Sequence, residues 1–494
     1  FSGKNIGLDQ YGNIYVTGSS FKEGTGHDIV TVKYNAQGSL LWSVAYNNFY
    51  LDFGNAIAVD YMTGDVFVAG QSQGGISYFV TIKYNSDGIQ QWVQFGGANY
   101  ATPMAICLDA NSNVYVTGRD QLPDLRDFLL TVKYNSAGVQ QWYSRYNESN
   151  NSNDWAYDIV ADIYGNVYVT GESNNDYVTI KYSQSGTQQW ASIYNQSITD
   201  KPYSLGLFGN SVYVTGLSAR NITKWDDNDP RAIFVNGFAT VKYDTDGNFQ
   251  WVRRFDNSNF SHSHAIDLKV KMISGYRDES IYVTGSDNNT SKTICYSSQG
   301  ATRWTNSYNN AEPTAIDIDN NGNAFISANS MINGTNNFAV LMYNVNGQLV
   351  WNGSYDGPAY ADDQTTAIRI DPNTNDLYVL GNSIGLGTGY DFALVKYSST
   401  DDRNRFEKEP LLSNFPNPFN PTTRIFFNLP KDDFSTLRVY NSLGQLVTTL
   451  LDSEFRNHGH NYVEFDASNL PSGVYFYNIH TLSLKRTQKM LLIK

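Results

Sequence analysis

The chain has 494 residues, 41% of them hydrophobic and only 16% charged, which asks for two or more folding units and argues against intrinsic disorder. Its formal net charge of −13 repels phosphate backbones, so nucleic acid is not an expected partner. No run approaches the ~20 consecutive apolar residues of a membrane helix, and no membrane insertion is expected.

Other totals narrow the class further. Tyr (36), Phe (26) and Gly (40) are abundant, a mixture that favours strands joined by tight turns. The charge is uneven: residues 1–397 carry 23 Lys/Arg against 37 Asp/Glu, residues 411–494 carry 8 against 6. The first residue is Phe1, without an initiator Met or a basic, apolar leader, so an upstream segment is expected to have been removed or to be missing. Cys107 and Cys295 fall at different places in the pattern described next and read as two buried free thiols.

From the N-terminus, one pattern returns about every fifty residues. Val32-Lys33-Tyr34 recurs as Ile82-Lys83-Tyr84, Val132-Lys133-Tyr134, Ile180-Lys181-Tyr182, Val241-Lys242-Tyr243 and Val395-Lys396-Tyr397, with weaker copies ending at Tyr296 and Tyr343. Each copy holds four strand-like segments, typified by Ile57-Ala58-Val59-Asp60, Asn166-Val167-Tyr168-Val169-Thr170-Gly171, the Lys-Tyr segment, and Gln141-Trp142-Tyr143-Ser144-Arg145-Tyr146. Asn/Asp-rich turns with Gly, such as Asp9-Gln10-Tyr11-Gly12-Asn13 and Asn85-Ser86-Asp87-Gly88, join segments one to two and three to four. Each repeat is therefore predicted to be a four-stranded antiparallel meander. Four strands per unit at this period predict an all-β, eight-bladed β-propeller over residues 1–397. The motifs resemble the bacterial β-propeller repeat family named for seven-bladed propellers, which keeps seven blades as the alternative. The eighth repeat lacks a Trp segment; either a Trp-bearing strand precedes Phe1, or that blade is one strand short and its open edge invites association.

Residues 398–410, with Asp401, Asp402, Arg403, Arg405, Glu407, Lys408 and Glu409, read as a linker. New short strands are predicted at 423–428, 436–440, 462–466, 473–480 and 489–493, giving a small Ig-like β-sandwich over 411–494. The strings Asn414-Phe415-Pro416-Asn417-Pro418-Phe419-Asn420-Pro421, Val439-Tyr440-Asn441-Ser442-Leu443-Gly444, Ser472-Gly473-Val474-Tyr475-Phe476-Tyr477 and Lys489-Met490-Leu491-Leu492-Ile493-Lys494 resemble the type A sorting domain of the type IX secretion system. That resemblance implies export across the outer membrane of a Bacteroidetes-type bacterium. It also implies recognition by the translocon and its shuttle protein, and removal by a sortase, leaving a cell-surface or secreted product.

Chemistry is expected where loops vary. Connections between segments two and three, and between repeats, share one face of the disc and differ freely, whereas the other face is uniform apart from 271–280. Seven of nine Trp fit the repeat register; Trp155 and Trp225 do not, and both fall on the variable face, as a candidate platform for sugar rings or a protein hot spot or, on the plainer reading, as plugs that hold loops onto the disc. Asp226, Asp227 and Asp229 beside Trp225 are candidate Ca²⁺ ligands, although no EF-hand register is present and a solvated acidic loop is the plainer reading. His262 and His264 offer two zinc ligands without a third nearby. Near the axis, one repeat position is apolar in blades one to five (Gly7, Ala58, Cys107, Val160, Gly206) and reads Asp267, Asp317 and Arg369 in blades six to eight. That patch is a ligand or acid–base candidate, against the plainer reading of an Arg369–Asp317 ion pair. The Lys33-type lysines are expected to pair with repeat carboxylates or backbone. No nucleophile elbow, phosphate loop or metalloprotease motif is found. The leading expectation is a noncatalytic secreted or surface protein binding glycan or protein through its variable face, with no cofactor. The alternatives are a structural subunit of a surface layer or filament and an extracellular polysaccharide- or peptide-acting enzyme with an axial site.

Overall fold

One carboxylate closes the first turn of a repeat. Asp9 accepts the amides of Tyr11 (2.9 Å) and Asn13 (3.0 Å), the Asn13 side-chain amide (2.7 Å) and the Tyr15 hydroxyl (2.9 Å). It thereby joins β1 (Asn5–Leu8) to β2 (Ile14–Lys22). Asp109 and Asp319 do the same work later in the chain. The next two strands, β3 (Gly26–Tyr34) and β4 (Leu40–Tyr46), are joined by a turn in which Asn35 accepts the amides of Gln37 and Ser39. Gly38 takes the left-handed conformation in that turn (φ +82°).

The computed structural model describes residues 5–148, 154–196, 199–224, 231–256, 263–332, 334–357, 359, 361–385, 389–398, 412–415, 419–429, 432–456, 459–481 and 485–493. The chain divides into two compact units, Phe1–Ser398 and Ser399–Lys494, and the described residues contain no helix. In the first unit β1 to β4 pair in sequence order. The same antiparallel meander then recurs six times between Leu51 and Tyr355, and a three-stranded sheet follows, made of β29 (Gln364–Ile370), β30 (Leu377–Gly385) and β31 (Gly389–Tyr397). First strands of successive repeats touch one another, and β29 touches β1, so they form the inner ring. Ile6, Ile14 and Val16 of the first repeat share a core with Ala367, Tyr378 and Leu380 of the last.

A bulge interrupts each first strand from the second repeat onward. The unpaired residues are Asn55, Met104, Tyr157, Tyr203, Ile266, Thr314 and Thr366. The bulge throws the first strand's backbone onto the Gly of the Thr-Gly motif: a Cβ on Gly118, Gly171, Gly216 or Gly285 would collide with the carbonyl of Thr102, Trp155, Lys201 or His264. That close approach is why glycine stands there.

In the second unit β32 (Leu412–Phe415), β33 (Thr422–Leu429) and β36 (Gly459–Asp466) form one sheet. The other runs β35 (Leu446–Arg456), β34 (Asp433–Asn441), β37 (Gly473–His480) and β38 (Lys485–Leu492). Ile425, Phe427 and Phe465 of the first sheet pack on Leu437, Val439, Tyr477 and Ile479 of the second. Two strands, β32 and β35, are absent from the sequence reading; β32 has four residues, and along β35 only Leu451 is buried, so neither carries an apolar alternation.

Candidate functional site

Tyr157 and Tyr203 occupy the bulges of adjacent repeats, so their side chains leave the ladder at the rim where first strands begin. Their rings meet edge to face at 5.7 Å, and Tyr203 meets His264 of the next repeat at 6.1 Å. The Tyr157 hydroxyl donates to Glu172 Oε2 (3.2 Å), which also pairs with Lys201 Nζ at 3.2 Å. Burial raises the Tyr157 and Tyr203 hydroxyl pKa values, with Glu172 adding to both, so both phenols are neutral donors at physiological pH. Three partly exposed rings, with a buried carboxylate paired to a partly exposed lysine, thus form an arc across repeats four to six.

Trp155 begins the first strand of repeat four, beside this arc. Its ring is covered by the Arg119 guanidinium at 4.6 Å, which Asp127 holds through two hydrogen bonds of 2.8 and 3.1 Å. Of the two predicted histidines, His264 joins the arc, whereas His262 lies outside the described residues. Trp225, Asp226, Asp227 and Asp229 lie outside them too. Among the described residues no three His, Cys, Asp or Glu side chains converge on a metal site.

The axial position needs correcting. Gly7, Ala58, Cys107, Val160 and Gly206 pair with Tyr15, Phe67, Tyr115, Tyr168 and Tyr213, and the residue paired with Tyr282 in repeat six is Lys269, not Asp267. Asp267 sits one layer away and matches Asp158 of repeat four, since each faces the second-strand Thr (Thr284 and Thr170). Arg369 and Asp317 do not form the expected ion pair. Asp317 Oδ2 instead accepts the Ile370 amide at 2.9 Å, and Arg369 Nη1 donates to Ile368 O at 3.0 Å. Asp158 accepts the Leu205 amide (2.8 Å) and Asp267 the Ile316 amide (3.1 Å) in the same way. Inner strands have no further neighbour in their own sheet, and these carboxylates staple each to the next repeat. Burial pushes Asp158 up to about 6, against the opposing pull of Lys269.

The repeat lysines pair with both kinds of acceptor. Lys83 Nζ lies 2.7 Å from Asp65 and Lys396 Nζ 2.7 Å from Asp376, while Lys33 and Lys181 donate to Ser86 O (3.0 Å) and Thr245 O (2.8 Å). Both cysteines are free; burial pushes Cys295 up to about 12 and raises Cys107 as well, leaving both thiols protonated.

In the second unit Phe419 is buried and exchanges backbone hydrogen bonds with Leu491 and Ile493, while Pro421 O accepts the Ala467 amide. The Tyr475 hydroxyl donates to Pro471 O at 2.8 Å. Gly444 completes the Asn441 turn at φ +76°. Asn420, Gly473 and Lys489 are more open, and Asn417 and Pro418 lie outside the described residues.

The comparisons fit this geometry. Residues 413–494 match the family described as a secretion system C-terminal sorting domain, and residues 143–177 match a β-propeller repeat. No curated protein matches the chain. The solved structure titled "Structure of Dos1 propeller" aligns with a TM-score of 0.50 at 11% identity, covering 79% of this chain and 92% of its own. A plexin A4 extracellular region aligns at a TM-score of 0.42 and 9% identity, covering 100% of this chain and 61% of its own. The first unit is an all-β propeller. The second is a type IX sorting domain, which marks the protein for export to the cell surface or beyond.

Proposed function

We propose that this exported protein is an eight-bladed propeller followed by an Ig-like sandwich, and that it binds an external glycan, without catalysis, at the rim where its first strands begin. The carrying observation is the arc Tyr157–Tyr203–His264 with the Glu172–Lys201 pair beneath it. Aromatic rings offer the C–H faces of a sugar an apolar surface, and a paired carboxylate and ammonium offer its hydroxyls both an acceptor and a donor. The shuttle protein and sortase of the type IX system are the partners that handle the second unit. A glycan array probed with the native protein and with the Tyr157→Ala/Tyr203→Ala double variant tests the reading: binding falls at least about tenfold in the variant. Undiminished binding, or no glycan bound by either protein, refutes it.

One observation favours a protein contact instead. On the same rim Phe49 is 92% exposed at φ +63°, a conformation bulky residues avoid, and Phe21, Tyr50, Leu51 and Tyr100 are exposed with it in repeats one to three. On this reading the propeller associates with another protein surface, including further copies in a layer or filament, and Phe49→Asn abolishes the association while the Tyr157→Ala/Tyr203→Ala variant leaves it intact.

A further inference from the structure

Alternation along the larger sheet of the second unit gives it two unlike faces. Leu437, Val439, Tyr477 and Ile479 are buried in the core. The residues between them point the other way: Thr436, Arg438 and Tyr440 on β34, and Phe476, Asn478 and His480 on β37. Lys485 and Thr487 continue this outer face on β38. Register sets its groups in rows. Tyr440 stands opposite Phe476, Arg438 opposite Asn478, and His480 between Thr436 and Lys485. Three basic side chains therefore share two adjacent rows, and two rings form the wall beyond them.

These side chains line an open cavity of about 520 Å³, which the turn after β34 borders with Asn441, Ser442 and Gly444. None of the six Asp and Glu residues of 411–494 lines it. Arg438 has one loose acidic neighbour, Asp452 Oδ1 at 3.9 Å, whose side chain is 81% exposed. Basic groups gathered on one sheet face do not help the fold, and an anion placed among them relieves their repulsion. A bare phosphate would leave most of the cavity empty and both rings uncovered, whereas the volume falls within the ~300–1,000 Å³ of sites for larger organic molecules.

We propose that this face of the second unit binds an acidic saccharide, a sugar ring that carries a carboxylate or a phosphate. The anion lies among Arg438, His480 and Lys485, and Arg438 offers it a two-pronged donor. The ring packs on Tyr440 and Phe476. Asn478 Nδ2 already donates to Thr487 Oγ1 at 2.8 Å, which leaves Asn478 Oδ1 as an acceptor and the Thr487 hydroxyl as a donor for the sugar's own hydroxyls. An acidic polypeptide would satisfy the basic groups but has no need of the aromatic wall, and it is the competing occupant. The cavity shares no residue with the Tyr157 arc, so the two readings stand or fall separately.

The probes are glucuronate, glucose 6-phosphate, glucose, inorganic phosphate and hexaglutamate. Each is titrated by calorimetry into the 494-residue chain carrying Tyr157→Ala/Tyr203→Ala, so that the first unit's arc takes no part. One anionic sugar binds per chain, more weakly as salt is added, and glucose does not bind. The tighter of the two anionic sugars names the acidic group. Arg438→Gln/Lys485→Gln weakens that sugar's binding at least about tenfold, and Phe476→Ala weakens it without affecting inorganic phosphate. All three side chains are exposed, so the melting midpoint of each variant stays at that of the parent. Glucose binding as tightly as its phosphate overturns the proposal, as does inorganic phosphate binding as tightly as the sugars. Tighter binding of hexaglutamate makes the face a peptide dock and overturns it too. So does undiminished binding by Arg438→Gln/Lys485→Gln, or no binding of either anionic sugar.

Discussion

Asp158 gives the strongest quantitative expectation. Its carboxylate accepts the Leu205 amide from the neighbouring repeat and the Ile159 amide, and burial lifts its pKa from 3.8 to about 6 against the pull of those bonds and of Lys269, with Asp267 adding to the rise. An acid whose folded pKa exceeds its unfolded value holds its proton more tightly when folded. Folding is then favoured as pH falls through 6 toward 3.8, and that increment is lost as pH rises. At about 1.36 kcal/mol per unit the shift amounts to roughly 3 kcal/mol. Asn at this position cannot ionise and keeps an acceptor for the Leu205 amide. Asp158→Asn should therefore be the more stable protein at pH 7.5 and equal to the parent near pH 4.

For a unit of this size, an unfolding entropy of about 2.1 cal/mol/K per residue turns 3 kcal/mol into a rise of roughly 3–4 °C at pH 7.5. Calorimetric melts of both proteins between pH 4 and 8 measure it. The turn carboxylates Asp60, Asp109 and Asp278, whose pKa values hydrogen bonds hold down against burial, impose the opposite slope. They do so in both proteins, and their contribution cancels in the difference. Parallel profiles, or a variant less stable at every pH, would show that the ionised carboxylate is the better staple and refute the argument.

Gly216→Ala drives a Cβ into Lys201 O and to 2.7 Å from Pro202 Cα, and should destabilise the propeller by roughly 1–3 kcal/mol in urea unfolding. Gly473 has nothing within 4 Å of its added Cβ and no positive φ, so Gly473→Ala should leave the sandwich's melting midpoint unchanged. If that residue serves export, extracellular protein falls in a culture-supernatant immunoblot while the fold stands.

The repeat was legible because its turns are chemical devices with fixed spelling. Asp9 needs Asn13 and Tyr15 at set distances along the chain, and Gly38 needs its φ, so both leave a mark in one sequence. The site was not. Tyr157 and Tyr203 lie in bulges, and a bulge is defined by the partner strand rather than by the strand that contains it. The same blindness misplaced the axial residue of repeat six. Its first hairpin carries extra pairs, out to Met272 opposite Glu279, so counting along the chain landed on Asp267 where pairing puts Lys269. Trp155 stands outside the repeat register in the sequence, but the guanidinium that covers it comes from the preceding repeat and has no local signature.

The two rims of the disc are under different physical constraint. On one, turn residues complete contacts between repeats: the carbonyl of Ser86 receives both Lys33 and Trp42, and Gly88 lies under the Trp42 ring. A substitution there breaks the joint with the preceding repeat, so those turns stay alike. On the other rim the bulge and its glycine fix only where each first strand begins, and the connecting loops are free to lengthen and change. Phe49 exploits that freedom. Holding a bulky residue at positive φ costs on the order of 1–3 kcal/mol, and a side chain 92% exposed recovers none of it by burial. The Phe49 amide donates to Asn47 Oδ1 at 2.8 Å, which holds the turn, and a contact outside the monomer would add the burial that the ring lacks.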